Sequence, residues 1–389
     1  MKFKKQKMER SQEILFLGIV CLFWFAQYVY IPYQTMYLSG IGISGSVIGV
    51  IVGAYGISQM LLRLPVGVCA DRIGQHKKFI LIGAGSSGLA SFFRICLDGE
   101  KGFFFGNLFS GLASAMWISY MVFYTGQFEK DEQQKATSRI VMFNNIGMLL
   151  GFIVSTLGYS VMGMRWLCIF SCIAGCLACS LACLIKEQPS KRGDLSVGQL
   201  LGVCRGKQIL MFSFVALIQQ GIQLTTTMSF TNQIIKNLGV NDQLIGLSSI
   251  IYMLSAVGFS ALASSKICSK KGPRFWIPMV LALLAAYCIL VPSVGNVLVI
   301  FILQILPGMA TGILFSYATS EAMKDVPAEK KSTAMGFFQA FYAVGMTAFP
   351  MLTGKLVGIY GMKVGYFVLA GIALAGSMLS LGYYRTVKK

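Results

Sequence analysis

The sequence predicts an all-α membrane protein with twelve transmembrane helices arranged as two pseudo-symmetric six-helix halves. Three observations carry that expectation. Hydrophobic residues make up 56% of the 389 and charged residues only 12%, against about 25% charged in a soluble domain. Apolar runs of about 20 residues, the length that crosses a bilayer, recur between short polar connections. The two halves also echo each other at a near-constant offset. Val47-Ile48-Gly49 with Tyr55 returns as Leu244-Ile245-Gly246 with Tyr252, 197 residues on. At an offset of 198, Gly74 returns as Gly272, Ala136 as Ala334, Gly147-Met148 as Gly345-Met346, and Gly163-Met164-Arg165 as Gly361-Met362-Lys363. No segment shows the apolar–polar alternation of an outer-membrane strand, so the spans are helices.

Taken in order, the spans fall at 13–37, 47–66, 79–97, 102–126, 140–160, 166–185, 208–231, 243–263, 275–293, 297–319, 332–354 and 364–384. Residues 1–185 form the N-terminal six-helix half, 186–207 a basic cytoplasmic linker and 208–389 the C-terminal half. The basic stretch ending at Gln12 precedes an apolar run too long for a cleaved signal peptide, so the first span stays as an anchor. Gly147 and Gly151 in span 5, and Gly345 and Gly354 in span 11, let backbones approach, and Pro350 bends span 11.

A net charge of +19 invites a nucleic-acid reading, which fails because the basic residues sit in short loops between apolar runs. With both termini inside, the inner loops and ends hold 26 Lys and Arg. The outer loops hold five: Lys101, Arg165, Lys236, Lys355 and Lys363. Arg63 and Arg94 fall within spans. The positive-inside rule then gives a multi-pass protein of the plasma (inner) membrane with cytoplasmic termini. Membrane lipid and a small-molecule solute are the expected partners, nucleic acid is not, and a monomer is expected to function.

Most of the eleven cysteines lie in apolar runs. Cys168, Cys172, Cys176, Cys179 and Cys183 follow one helix face and read as small packing residues, since a metal site wants His or carboxylate partners and a closed geometry. The single histidine, His76, reads as a solvated loop residue. No nucleophile, metal set or acid–base pair stands at membrane depth, so an enzyme is not expected, and neither is a cofactor or a metal.

The most informative stretch runs from Gly67 to Lys78, wedged between the second and third apolar segments. Gly67 and Gly74 permit a turn, and Gly74 can take a positive φ. Asp71 is the only acid between Glu13 and Asp98, and Arg72, Lys77 and Lys78 add positive charge. The pattern Gly-x3-Asp-Arg-x-Gly-x2-Lys-Lys resembles the loop between helices 2 and 3 of the major facilitator superfamily of transporters. With Arg63-Leu-Pro ahead of Gly67, the chain is most similar to the twelve-span drug and metabolite exporters of that superfamily. The resemblance implies that Asp71 and Arg72 make polar contacts across the cytoplasmic face as a conformational gate. The second copy of the loop, Ser265 to Arg274, has Ser269 where the acid would fall. Two positions depart from the proton-coupled members. Asn107 stands where they carry an arginine four residues before a glycine, here Gly111, and Phe152 rather than proline follows Gly151.

The resemblance also implies that helices 1, 4, 7 and 10 line a central pathway, and suitable faces exist on each. Trp24, Gln27 and Tyr28 share a face of span 1, with Gln34 seven residues beyond Gln27 and Pro32 between them. Trp117, Tyr120 and Tyr124 share a face of span 4. Gln220, Gln223 and Thr227 do so in span 7, with Gln219 beside them, and Gln304 stands alone in span 10. Asn144 and Asn145 in span 5, and Gln339 and Tyr342 in span 11, are secondary candidates. An amide in lipid leaves its groups unpaired, so each should face protein or water; binding a neighbouring helix is the plainer reading of any one of them. None of the fourteen acids lies midspan, which leaves Glu13, Asp71 and Glu321 near the cytoplasmic ends as rim groups for coupling. Arg94, near the outer end of span 3, either attracts an anion or snorkels to the interface.

The expected function is a secondary transporter that exports a small uncharged or amphipathic organic solute by alternating access. The alternatives are facilitative uptake of a polar metabolite such as a sugar or nucleoside, and, from another class, a non-transporting sensor or scaffold with the same fold. A soluble domain or long tail would favour the scaffold, and neither end of the sequence shows one.

Overall fold

The computed structural model describes residues 9–97, 99–187, 195–240 and 242–386; the middle of the expected linker, 188–194, lies outside them. Among the described residues, eleven helices are long and apolar enough to cross a membrane. One is double. The 50-residue helix Gln133–Ala182 carries Gly163 at φ 73° and ψ 177° in its interior, a left-handed conformation that glycine alone adopts freely. That break makes twelve spans: α1 Arg10–Gly40, α2 Gly45–Ile73, α3 Lys77–Cys96, α4 Gly99–Gly126, α5 133–162, α6 164–182, α7 Lys207–Asn237, α8 Asp242–Ala263, α9 Pro273–Leu290, α10 Val297–Met323, α11 Lys331–Tyr360 and α12 Met362–Thr386.

The expected span order holds, with one instructive correction at the end of α2. The helix runs on to Ile73, so Gly67 is helical and does not make a turn. Nothing between Val66 and Ile73 breaks a helix. The reversal waits for Gly74, whose φ of 67° ends the helix while its N–H bonds to the Ala70 carbonyl.

Two compact units form. One comprises Met1–Lys130, Phe143–Cys204 and Val326–Ala340, and the other Asp131–Met142, Arg205–Asp325 and Phe341–Lys389. The start of α11 therefore packs with the N-terminal helices, and the start of α5 with the C-terminal ones. Within the first unit α2 and α3 lie along α4; within the second α8 lies along α10 and α9 along α12.

The repeat is visible at single side chains. Tyr55 Oη meets Ser114 Oγ at 2.9 Å, and 197 residues on Tyr252 Oη meets Thr311 Oγ1 at 2.8 Å. Asn107 Nδ2 donates to the Ile51 carbonyl at 2.8 Å, and its equivalent Gln304 Nε2 donates to Ser248 Oγ at 2.7 Å. Gly111 faces Ser58 and the Tyr55 carbonyl, as Gly308 faces Ser255 and the Tyr252 carbonyl.

Candidate functional site

Four helices are irregular at equivalent positions. α1 breaks at Val29–Tyr30, between Arg10–Tyr28 and Ile31–Gly40. α4 breaks at Met116. In α7 the chain widens over Thr226–Phe230, where the Thr231 N–H reaches back five residues to the Thr226 carbonyl. In α10 the same widening occurs over Ala310–Leu314, with the Phe315 N–H on the Ala310 carbonyl. Shifted by 197, Val29–Tyr30 falls on Thr226–Thr227 and Met116 on Ile313. Widened or broken helix turns inside a membrane are tolerated where protein or a cavity meets the freed backbone groups.

The side chains flanking these breaks are amides, hydroxyls and aromatics. In α1, Gln27 is buried and donates to the Ser110 carbonyl at 3.0 Å and to Ser114 Oγ at 3.5 Å. Trp24 lies edge-on to Trp117 with centroids 5.2 Å apart, and its Nε1–H is buried without a protein partner. Tyr28 is half-buried against Phe152. Gln34 is buried with Oε1 unpartnered. In α7, Gln219 Nε2 bonds to Gln223 Oε1 at 2.8 Å, while Gln219 Oε1 is buried and unpartnered. Gln220 beside them is half-buried. Gln223 also bonds to Tyr252.

Other candidates are committed to packing. The Tyr120 hydroxyl donates to the Ile80 carbonyl at 3.0 Å, and Tyr124 Oη donates to Glu13 Oε1 at 2.7 Å. Gln304 accepts from Tyr287 Oη at 3.2 Å and continues a buried chain in which Thr231 Oγ1 meets both Tyr287 and Tyr366 at 2.8 Å. Asn144 bonds to its neighbour Asn145 at 2.9 Å. Tyr342 lies edge-on to Phe315. Glu321 pairs with Lys324 at 3.6 Å, and its carbonyl accepts from Gln208.

Arg94 corrects an expectation. It does not snorkel; it is 6% exposed and stacks 3.9 Å over the Tyr30 ring. Nη2 donates to Tyr30 Oη at 2.9 Å, Asn107 Oδ1 at 2.8 Å and Ser110 Oγ at 2.8 Å, and Nη1 to Ser91 Oγ at 3.2 Å. The guanidinium beside Asn107 thus comes from α3.

A second cluster joins α2 to the start of α11, inside the first unit. Asp71 Oδ1 accepts the Ser332 N–H at 2.9 Å and Oδ2 the Thr333 N–H at 2.6 Å. These are first-turn donors of a helix, where a carboxylate meets both unsatisfied N–H groups and the positive end of the dipole. A Cβ on Gly67 would overlap the Ser332 carbonyl oxygen, so glycine here serves close approach. Two turns further along, Arg63 Nη1 donates to the Gln339 carbonyl at 2.8 Å, and a Cβ on Gly336 would lie 2.6 Å from the Arg63 carbonyl oxygen. Gln339 Oε1 itself is buried and unpartnered. Arg72 and Lys78 are exposed, and the contact with α11 is made by Asp71. Lys77 turns the other way, its N–H on Glu187 Oε2 at 2.9 Å and its Nζ on the Cys183 carbonyl at 2.7 Å.

His76 is not a solvated loop residue either. Its N–H donates to Glu187 Oε1 at 2.5 Å, its Nδ1 is buried without a partner, and burial pushes its pKa down to about 4. Sequence reasoning left Arg63 without a role and Arg94 unresolved. The available signal was the cost of a cation inside a span, which selects for a partner.

Two six-helix repeats with broken core helices, polar groups at the breaks and a charged contact between α2 and α11 define a membrane carrier. The model of the Major Facilitator Superfamily matches residues 15–289 and 214–389, and the chain belongs to that superfamily. It is 24% identical over 369 residues to an uncharacterised MFS-type transporter of Methanocaldococcus jannaschii, covering 90% of this chain and 92% of that protein. Two solved structures share the two-domain, twelve-helix fold. The human organic anion transporter MFSD10 matches with a TM-score of 0.77 and 16% identity over 95% of this chain and 98% of its own. The Escherichia coli fucose:proton symporter FucP matches with a TM-score of 0.76 and 14% identity over the same shares. The chain is a secondary transporter and not an enzyme.

Proposed function

We propose that this carrier exports a small uncharged or amphipathic organic solute across the plasma membrane, with both termini cytoplasmic, as a monomer in contact with lipid. Residues 1–185 and 208–389 act as the two halves of an alternating-access cycle, and 186–207 links them. The observation that carries the reading is the set of equivalent breaks in α1, α4, α7 and α10, flanked by Trp24, Gln27, Gln219, Gln223 and Trp117 and by no carboxylate. Amides, hydroxyls and indoles bind neutral polar groups and apolar faces, and do not exchange protons near pH 7. Arg94 argues little for an anion, because its two terminal nitrogens already donate to Tyr30, Asn107, Ser110 and Ser91. Asp71 on the start of α11 serves as the gate.

Coupling is either absent or runs through the rim carboxylates Glu13 and Glu321. The experiment is flux in proteoliposomes across a panel of neutral, amphipathic and anionic solutes, with and without an imposed pH gradient. Saturable flux of a neutral or amphipathic solute, and loss of proton-driven accumulation in the Glu13→Gln/Glu321→Gln double variant, would agree with the proposal. Transport confined to anions would reject the substrate class, and full proton-driven accumulation in the double variant would reject the coupling. Uptake of a sugar with no export is the outcome that favours the facilitative alternative, and no flux of any solute favours the scaffold.

A further inference from the structure

We propose that Arg63 is a second clasp on α11, a positioning residue that holds the carrier in its cytoplasm-closed state by gripping the Gln339 carbonyl in mid-membrane. The inference rests on the carrier reading above. Arg63 lies ten residues before the end of α2, about 15 Å into the helix at 1.5 Å per residue, and is 3% exposed. A cation at such depth is costly, so its contact must repay it. Nη1 reaches the Gln339 carbonyl at 2.8 Å, eight residues into α11. That carbonyl lies inside a helix, where the ladder already supplies a donor, so the guanidinium is an added bond and not a missing cap.

The spacing makes the two charges one device. Asp71 and Arg63 are eight apart on α2; Ser332 and Gln339 are seven apart on α11. Each interval is about two turns, so the carboxylate grips the N–H groups that open α11 and the guanidinium grips a carbonyl two turns later. Gly67 against Ser332 and Gly336 against Arg63 supply the close approach that both contacts need. At a separation of about 12 Å along one helix the two charges cannot satisfy each other. When α11 leaves, both contacts with its backbone are lost together.

The repeat shows that the fold does not require this charge. Arg63 corresponds to Ser260, whose Oγ donates to Ala256 in its own helix at 2.8 Å. The equivalent closure, between α8 and the start of α5, uses a neutral contact, Gln134 Nε2 to the Ala263 carbonyl at 2.9 Å. The two charged residues of the clasp, Asp71 and Arg63, give way to Ser269 and Ser260 in the second copy.

The test uses cysteine accessibility in full-length protein lacking native cysteines, in vesicles of defined orientation. Thr333→Cys keeps the backbone N–H that Asp71 holds, and Thr333 is buried. Arg63→Met should speed labelling of that cysteine by a cytoplasmic-side maleimide about 10- to 100-fold, the range of a charge-assisted hydrogen bond. Arg63→Lys should fall between Arg63→Met and the parent. A shift of state, unlike general loosening, should also slow labelling of Gln220→Cys from the outside. Gly336→Ala, which leaves both charges in place, should act in the same direction and serves if Arg63→Met does not fold. Unchanged labelling at Thr333→Cys, or faster labelling at both positions, would overturn the proposal. These rates do not depend on identifying a solute, so a failure of this proposal and a failure of the proposed substrate class are read separately.

Discussion

Replacing Arg94 with methionine removes a buried cation, and what remains can be counted. Ser91 keeps Ser171 at 2.6 Å, and Tyr30 keeps Ser110 at 3.2 Å. Asn107 Oδ1 alone loses the donor that satisfied it. An orphaned buried acceptor costs about 1–3 kcal/mol, and the lost stacking over Tyr30 about 2 kcal/mol when desolvated. Against this, no guanidinium needs burying, which returns about 2.5–3.5 kcal/mol on insertion scales. At the middle of these ranges the net destabilisation should be small, about 1 kcal/mol. Adding Asn107→Leu removes the orphan, and the Ile51 carbonyl that Asn107 also served lies inside α2, where the helix ladder meets it. The double variant should therefore be more stable than Arg94→Met alone. The assay is the inactivation half-life of detergent-purified protein at fixed temperature, with monodispersity as the control. A single variant as durable as the parent, or a double variant less durable than the single, would refute this account of the cluster.

Asp71→Asn keeps one acceptor but turns an amide N–H₂ towards the other backbone donor, so the clasped state should weaken about 10-fold; turnover should fall while membrane insertion is unchanged, and parental transport rates would remove the gate role. Gly67→Val should slow transport further still, because a backbone carbonyl and not a flexible side chain opposes the new Cβ; flux measured beside expression level reads this directly. His76 is held neutral by burial, with its pKa lowered from 6.5 to about 4. A depressed pKa means stability that is fully present above pH 6.5 and lost as pH falls towards 4. Thermal unfolding between those values should show the loss in the parent and a flatter response in His76→Gln. Cysteines placed singly at the exposed Ser44 and Ser269 should react with an impermeant reagent from outside and inside respectively; the reverse labelling would overturn the orientation. Two further labelling positions suggested by the loop pattern, Asn241 and Ser190, lie outside the described residues.

Period and composition carried most of the fold. Apolar length set the spans, the 197–198 offset set the repeat, and Gly74 marked the reversal it makes. The end of α2 was misplaced because a polar, basic run looks like a loop while its residues are ordinary helix formers. Side-chain partners were less accessible. That Asp71 would contact another segment followed from the resemblance, but Ser332 and Thr333 are more than 260 positions away, and their part is played by main-chain N–H groups that no residue type announces. Arg94 was misjudged because its depth was read along one helix, whereas Tyr30, Asn107 and Ser110 on two others decide where its head rests. His76 failed for the same reason, since its burial and backbone contact depend on Glu187. The amides are a mixed case. Their protein-facing placement was legible, whereas Gln304 is bound up with Tyr287 and Ser248, and Gln219 keeps a bare carbonyl oxygen.

The allotment of the start of α11 to the first compact unit has a bearing on how the chain is made. Ribosomes release it in order, so the first six spans enter the membrane before the α11 backbone groups that Asp71 and Arg63 bond to have been made. At about 5–20 residues per second, the ~150 residues from Ile185 to Ala340 take roughly 8 to 30 seconds to appear. For that interval the N-terminal bundle is an unfinished intermediate in which Asp71 and Arg63 have yet to meet α11. The wait ends only when α11, which begins at Lys331 of 389 residues, has been made. A stop codon anywhere before the eleventh span would leave that wait without an end.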